Sequence, residues 1–388
     1  MTGDYNSLKY QVSSLKMSKG SILVLTNNIG GLHSFRKEVM RAIVDAGYEV
    51  YISEPDDDER ARYFEGIGCH VIRTEFDRRG MNPLADLKLM LTYRKLIRQL
   101  KPKAVLTYTI KPNVYGGLAC RLTGTPQLTN VTGLGDAIEN GGWLQKLTLA
   151  LYRIGIKKAK CVFFQNQTNR DFCVLHGVTG EQNVLLPGSG VNLEHHQLQP
   201  YPEDGTIKFL FIARLLKDKG TEEFFETARV IKKKYPNTEF QILGWCEGDY
   251  QQQLDELVKA GVINYLGSTS DVRPFLAKVH CTIMPSYHEG MSNVNLESAA
   301  NGRPVITTDV PGCRETVDDG ETGYLVKPRS AEDLIAKVEQ FLLLSYEEKV
   351  AMGHAGRRKV EAEFDRSIVV KSYIDVIGKL CLPQNRSI

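Results

Sequence analysis

No stretch of the 388 residues approaches the ~18 consecutive apolar residues that a membrane-spanning helix needs. Residues 1–18 are polar and lack the apolar segment of a secretory signal, so they are expected to form a tail, with Met17 a second candidate start. Charge of one sign is also missing: 49 basic and 46 acidic residues leave a formal charge of +3. That is too balanced for a chain that coats nucleic acid, and an anionic partner must be met by a local patch. The eight cysteines (69, 120, 161, 173, 246, 281, 313 and 381) form no C-x-x-C pair. They are widely spaced and mostly set among apolar residues, which fits small hydrophobes in a reducing cytosol better than disulfides or a metal site. The first apolar run is not followed by G-x-G-x-x-G, since Gly30-Gly31 leads into Leu32-His33-Ser34. This argues against a dinucleotide oxidoreductase. The histidines show no ligand spacing, and His195-His196 are expected to be exposed in a linker. Asp56-Asp57-Asp58 imitates an acidic metal motif, but acidic clusters near turns are usually solvated loops. No metal or other cofactor is expected to be required.

What is present is alternation. Apolar runs at 21–26, 48–53, 69–73, 103–108, 127–131 and 160–165 read as buried strands, with helical patterns at 34–46, 57–66, 84–100, 112–123 and 143–159 between them. A break follows at 187–206, from Pro187-Gly188-Ser189-Gly190 through Pro200 and Pro202. Alternation restarts with strands at 207–213, 238–243, 262–266, 280–284 and 304–307 and helices at 219–234, 248–259, 271–278 and 293–301. Residues 330–380 read as mostly helical. The fold class is therefore α/β: two doubly wound, Rossmann-like parallel sheets facing a central cleft, with ligands at the carboxyl ends of the strands. The expected domains are 19–190 and 207–363, joined by a linker over 191–206.

Three segments carry chemistry. In Pro285-Ser286-Tyr287-His288-Glu289-Gly290-Met291-Ser292-Asn293-Val294-Asn295-Leu296-Glu297, a strand runs through a glycine turn into a helix start, where an anion is favoured. Glu289 and Glu297 can accept hydrogen bonds from sugar hydroxyls, or can simply be two solvated acids. Upstream, Arg214 and Lys219 flank a strand-to-helix connection and suit a diphosphate, Arg as a bidentate donor and Lys as a point charge. Two surface charges near a loop fit equally. Pro311-Gly312-Cys313-Arg314-Glu315 and Gly320-Glu321-Thr322-Gly323-Tyr324 read as turns.

In this order and spacing, over about 20–380, these segments resemble the retaining GT-B glycosyltransferases. The resemblance implies that Arg214 and Lys219 bind the donor diphosphate, Glu297 the ribose hydroxyls and Glu289 the transferred sugar. The catalytic set would be Arg214, Lys219 and Glu289. Backbone N–H groups of Gly290, Met291 and Ser292 would meet sugar and phosphates, with Asn293, Gly30 and Gly31 completing the donor site. It also implies that a helix over 364–380 crosses back onto the first domain. The first half looks closest to enzymes of capsule, O-antigen and lipid-linked glycan assembly, through Asn28-Ile29-Gly30-Gly31, Arg78-Arg79-Gly80-Met81-Asn82-Pro83, Thr109-Ile110-Lys111-Pro112-Asn113 and Val131-Thr132-Gly133-Leu134-Gly135. A UDP-sugar donor and a polyprenyl-diphosphate-linked acceptor follow. Many relatives place a histidine where this chain has Thr109-Ile110-Lys111, so Thr109, Lys111, Asn113, Thr132 and Gly133 are the acceptor or sugar candidates. Two further readings stay open, a UDP-sugar epimerase and a binding protein without turnover.

The helix over 143–160 places Lys146, Arg153, Lys157 and Lys160 beside an apolar arc of Trp143, Leu144, Leu147, Leu151 and Ile154. An anionic membrane surface fits that pattern, as does an ordinary core helix with a charged edge. With the implied acceptor, the expected location is cytoplasmic and peripheral at the inner face of the cell membrane.

Overall fold

The computed structural model describes residues 18–55, 58–78, 80, 82–133, 142–203, 205–246 and 248–381. The segment ending at Met17, Asp56, Asp57, Arg79, Met81, Leu134, Gly135 and the side chains of Leu144 and Cys381 lie outside the described residues.

The first half forms a seven-stranded parallel sheet in the order β3-β2-β1-β4-β5-β6-β7. Its strands are β1 Ser21–Leu25, β2 Glu49–Glu54, β3 Cys69–Arg73, β4 Ala104–Tyr108, β5 Gln127–Val131, β6 Cys161–Phe164 and β7 Gln182–Leu185. Its helices are α1 Ile29–Asp45, α2 Ala61–Gly66, α3 Pro83–Leu100, α4 Gly117–Thr123, α5 Gly142–Ile156 and α6 Gln167–Leu175. The second half forms a six-stranded parallel sheet, β10-β9-β8-β11-β12-β13. It comprises β8 Ile207–Ile212, β9 Thr238–Leu243, β10 Ile263–Tyr265, β11 Cys281–Met284, β12 Val305–Thr308 and β13 Gly323–Val326. The later helices are α7 Thr221–Lys234, α8 Gln251–Lys259, α9 Arg273–Leu276, α10 Asn293–Ala300, α11 Ala331–Leu343, α12 Tyr346–Glu363 and α13 Arg366–Cys381.

Local sequence accounts for many boundaries. Asn28 caps α1 by accepting from the Gly31 N–H, and Asn82 caps α3 with Pro83 as its first residue. Ser345 and Glu348 form a reciprocal capping box at α12. Strands β1, β4, β5, β6, β11 and β12 are buried along their whole length, as sheets covered on both faces require. Among the described cysteines none is bonded to another, and all but Cys246 are buried.

Helix α13 belongs in sequence to the end of the chain but packs on the first sheet. Val369, Tyr373, Val376 and Ile377 join the core formed by β1, β2 and α1. At the crossing, Val191 N–H donates to Phe364 O at 2.8 Å and Arg366 N–H donates back to Val191 O at 3.0 Å. Arg366 also pairs with Glu38 of α1 at 3.0 Å and donates to Gly190 O at 2.9 Å. Two chain passages are thus tied together where the domains meet. His196, expected to be exposed, is buried here. Asn301 contacts its Nδ1 at 3.1 Å, Arg357 donates to its carbonyl, and burial, helped by His195 and Arg273, pushes its pKa down to about 4.

The segment 167–185 supplies α6 and β7, which the apolar pattern did not mark, because edge strand β7 buries little. Likewise β13 is a strand where the sequence read as turns. The pattern at 112–123 divides into a wide turn, Pro112–Gly116, followed by α4.

Candidate active site

The connections leaving β1, β4, β5 and β6 face the one leaving β11 across a cleft. A cavity of about 270 Å³ lies between them. Asn28, Gly31, Arg36, Thr109 and Thr132 line one wall, and Glu289, Gly290, Met291 and Asn293 line the other.

Loop 285–292 is held from several sides. Tyr287 N–H donates to Asp218 O at 2.8 Å, and its hydroxyl donates to Glu223 at 2.8 Å. Lys219 Nζ lies 2.8 Å from Glu289 Oε1, which also accepts from Ser286 Oγ at 3.0 Å. Both ends of this ion pair are largely shielded, at 18% and 17% side-chain exposure, which strengthens it relative to a surface pair. The turn that carries Lys219 ends at Gly220 (φ +74°), where a Cβ would meet the Pro285 carbonyl. Glycine is therefore needed there both for conformation and for space.

Across the cleft the two domains touch at Gly290. Asn166 Nδ2 donates to Gly290 O at 2.6 Å, and a Cβ on Gly290 would lie 2.1 Å from Thr132 O. Gly133 sits alongside. Gly290 and Met291 N–H groups carry no backbone hydrogen bond among the described residues, and they precede the start of α10. The Ser292 N–H is already committed to Gly312 O at 2.7 Å, while its side chain caps α10. That corrects the expectation of three free amides: two remain.

The other residues singled out in the sequence separate. Arg214 is exposed, forms no ion pair among the described residues, and lines a distinct depression of about 180 Å³ with Gly244, Trp245, Thr269 and Val272. Glu297 lies in the second turn of α10, half-buried and outside the cavity that holds Glu289. Burial pushes its carboxyl up to about 7, with Arg366 pulling it down and Asp271 adding to the rise. Gly31 lines the cavity, whereas Gly30 is buried against the Arg60 guanidinium. Asp58 is clamped in an ion pair with Arg60 at 2.5 Å.

Thr109 reaches the cavity from a left-handed backbone position (φ +72°), which a β-branched residue rarely adopts outside functional sites. Lys111 and Asn113 do not reach it. Lys111 is paired with the buried Asp86 at 2.8 Å, which Tyr115 also contacts at 2.8 Å. Asn113 is completely buried, donates to Asn130 O at 2.9 Å and accepts from Gln127 through its carbonyl. Both are corrections to the acceptor set: these side chains brace the first sheet.

Sequence reading missed Arg36, Tyr108 and Gln165, which form the cavity floor. Arg36 is buried and donates from Nε to Tyr373 Oη at 3.3 Å and from Nη1 to Phe35 O at 2.8 Å. Tyr373 in turn bonds Asn130, so the crossing helix α13 helps position the floor. One signal was available: Arg36 falls on the apolar stripe Ile29, Leu32, Val39, Met40 and Ile43 of α1, where a surface cation does not belong.

Comparison with known proteins follows the same division. Residues 30–188 match the "Glycosyl transferase 4-like domain" and residues 196–359 match "Glycosyl transferases group 1". The chain belongs to this two-domain glycosyltransferase family, with the GT-B fold. It is 27% identical over 369 residues to the N,N'-diacetylbacillosaminyl-diphospho-undecaprenol alpha-1,3-N-acetylgalactosaminyltransferase of Campylobacter jejuni, covering 90% of this chain and 96% of that one. It is 26% identical over 340 residues to the capsular polysaccharide biosynthesis glycosyltransferase CapM of Staphylococcus aureus, covering 83% and 87%. The crystal structure of Anabaena Alr3699/HepE in complex with UDP and glucose superposes with a TM-score of 0.76 at 15% identity, covering 93% of this chain and 100% of that chain.

Proposed function

We propose that the chain transfers a sugar, an N-acetylhexosamine or hexose, from a UDP-sugar to a polyprenyl-diphosphate-linked glycan, with retention of anomeric configuration. The observation that carries this reading is the Lys219–Glu289 pair at a cleft where the Gly290 and Met291 amides have no backbone partner among the described residues. A diphosphate leaving group gains negative charge as the anomeric bond breaks. Lys219 and the amides of Gly290 and Met291 would be donors for that charge, and Arg214, exposed at the neighbouring depression, would join them with the diphosphate bound. Glu289 and the unpartnered Asn293 Oδ1 are acceptors suited to sugar hydroxyls. Glu297 would take the ribose hydroxyls. No nucleophile stands out, which favours attack on the same face, the departing phosphate receiving the acceptor proton. The Campylobacter and Staphylococcus relatives, by name, act on an undecaprenyl diphosphate-linked sugar and in capsule biosynthesis, and the Anabaena structure of the same fold was solved with UDP and glucose.

A membrane-borne acceptor calls for a membrane-facing surface. No described helix is long and apolar enough to cross a membrane. Helix α5 exposes Trp143 (72%), Leu147 and Ile154 beside Lys146 and Lys157. Arg153 instead donates to the His176 carbonyl, and Lys160 pairs with Glu181 at 2.8 Å. On α3, Leu84 (79%), Leu87 and Leu91 are exposed with Lys88, Lys95 and Arg98. Apolar side chains flanked by cations suit peripheral binding at an anionic inner-leaflet surface.

The test is transfer itself. UDP-sugars are incubated with a short-chain polyprenyl-diphosphate saccharide, and the new linkage is read by NMR. An α-linked product from an α-donor, formed also in EDTA, is expected. An inverted linkage overturns retention, total loss in EDTA overturns metal independence, and isomerised UDP-sugar without transfer moves the chain to the epimerases.

A further inference from the structure

The floor of the cleft cavity has a chemistry opposite to its donor-loop wall. Glu289 and Asn293 present oxygens, which accept hydrogen bonds from hydroxyls. The floor presents donors. Arg36 is 3% exposed and pairs with no carboxylate among the described residues, while the nearby Glu38 is held by Arg366 and Asn192. In the orientation that satisfies both ends of its amide, Gln165 accepts from Arg36 Nη2 at 3.0 Å and donates to Thr132 O at 3.1 Å. Together with the bonds to Tyr373 and Phe35, this uses three of the five N–H groups of a guanidinium. Tyr108 lines the same cavity, 5% exposed, and its hydroxyl sits beside Arg36 and Tyr373 but outside full hydrogen-bond geometry to either. An unmatched buried hydroxyl that borders a cavity is completed by what enters the cavity, water or a ligand. A buried guanidinium without a counter-ion asks for the same completion.

We propose that Arg36 and Tyr108, with Gln165 holding the guanidinium, form a floor led by the guanidinium donors that reads an exocyclic sp² oxygen on the transferred sugar, an acetamido carbonyl or a carboxylate. Ring hydroxyls are common to all hexoses and can be met by Glu289 and Asn293. A planar oxygen that accepts without donating is what distinguishes N-acetylhexosamines and hexuronates from plain hexoses, and it matches a guanidinium edge. Sites with buried polar groups reject ligands that leave those groups unpaired. The inference rests on reading the cleft as a UDP-sugar site, and it adds the class of sugar.

The experiment is calorimetric titration of UDP, UDP-glucose, UDP-N-acetylglucosamine, UDP-N-acetylgalactosamine and UDP-glucuronate into wild type, Tyr108→Phe and Arg36→Gln. Wild type is expected to bind the acetamido or the uronate sugars roughly 10- to 100-fold tighter than UDP-glucose, the range for a hydrogen bond to a charged partner. Which of the two arms is tighter identifies the oxygen. Both substitutions should erase most of that preference and leave UDP binding unchanged. Tyr108→Phe removes a hydroxyl that makes no full hydrogen bond in the protein, so it should melt close to wild type even if Arg36→Gln folds poorly. Equal affinity of wild type for all the sugars, or a preference that survives Tyr108→Phe, overturns the proposal. Failure of wild type to bind UDP at all overturns the nucleotide reading and this inference with it.

Discussion

The two domains build their halves of the cleft by different means. In the second domain the relevant groups sit within short segments, and local geometry does most of the positioning. Gly220 turns Lys219 toward Glu289, and Ser292 caps the helix that carries Glu297. In the first domain the cleft wall is assembled from distant pieces. Arg36 comes from α1, Tyr108 from the end of β4, Gln165 from beyond β6, and their support, Tyr373, from the last helix. A locally built half leaves a motif in the sequence, and a half built by tertiary contacts does not.

The largest effect that can break this comparison lies in the local half. Lys219→Ala and Arg214→Ala should each lower turnover about 10²- to 10³-fold, the range for removing one preorganised donor to a developing charge. Circular dichroism should stay unchanged. Near-normal turnover in both would remove the local half from the chemistry. Next comes the place where the halves meet. Gly290→Ala puts a Cβ against Thr132 O, so the domains must separate or shift. A fall in kcat/KM of roughly 10- to 100-fold is expected from such a displacement, with only a small change in melting temperature. Unaltered kcat/KM would mean that the contact at Gly290 has no part in the reaction.

Glu297 sharpens the comparison through pH. Its folded pKa, about 7, is raised above the ordinary 4.5, so folding favours its protonated form. The stability it contributes is fully present below pH 4.5 and is lost as pH rises through about 7. Glu297→Gln should therefore gain on wild type as pH rises from 4.5 to about 8, by about 3 kcal/mol in all, with nearly all of it gained by about pH 7.5. Melting curves of the two proteins across that range check it, and a gap independent of pH would contradict the burial argument. In the tertiary half, Tyr373→Phe removes a hydroxyl bonded to both Arg36 and Asn130 and should cost about 1–2 kcal/mol of stability in urea unfolding. A neutral result would say that α13 supports the floor by packing alone.

The same contrast explains what the sequence disclosed. Fully buried parallel strands such as Ile22–Leu25 and Cys281–Met284 announce themselves as apolar runs, and the alternation around them yields both sheets. Strand β7, Gln182–Leu185, did not, since an edge strand that is half solvated needs no apolar run. Helix α13 was legible as a helix, and its return onto the first domain came from the family resemblance and not from its own residues, because its partner surface exists only in the assembled sheet. The proximity of Glu289 and Lys219 was legible because a turn and a helix start constrain residue type at fixed spacing, whereas Arg214 lies apart at its own depression. Lys111 and Asn113 were misplaced for the opposite reason: their neighbour in sequence, Thr109, faces the cavity, while a wide turn rotates both into the protein. Ser292 was misjudged because its amide partner, Gly312, lies on a different loop.

The smallest expected effect concerns the outer surface of the first domain. Neutralising any one of Lys88, Lys95 and Lys146 to Gln should weaken binding to anionic liposomes by about 1 kcal/mol, and added salt should mimic the loss. Binding that ignores these charges would leave the exposed leucines of α3 and Trp143 of α5 without their proposed role.

The most direct measurement is the melting temperature of wild type and Lys219→Ala with UDP, GDP, ADP, CMP and NAD, because a ligand that binds only the folded state raises it by mass action. A rise with UDP alone, diminished in Lys219→Ala, is the predicted result. A rise with GDP or ADP in its place, or with no nucleotide at all, would contradict the assignment of this cleft to a UDP-sugar.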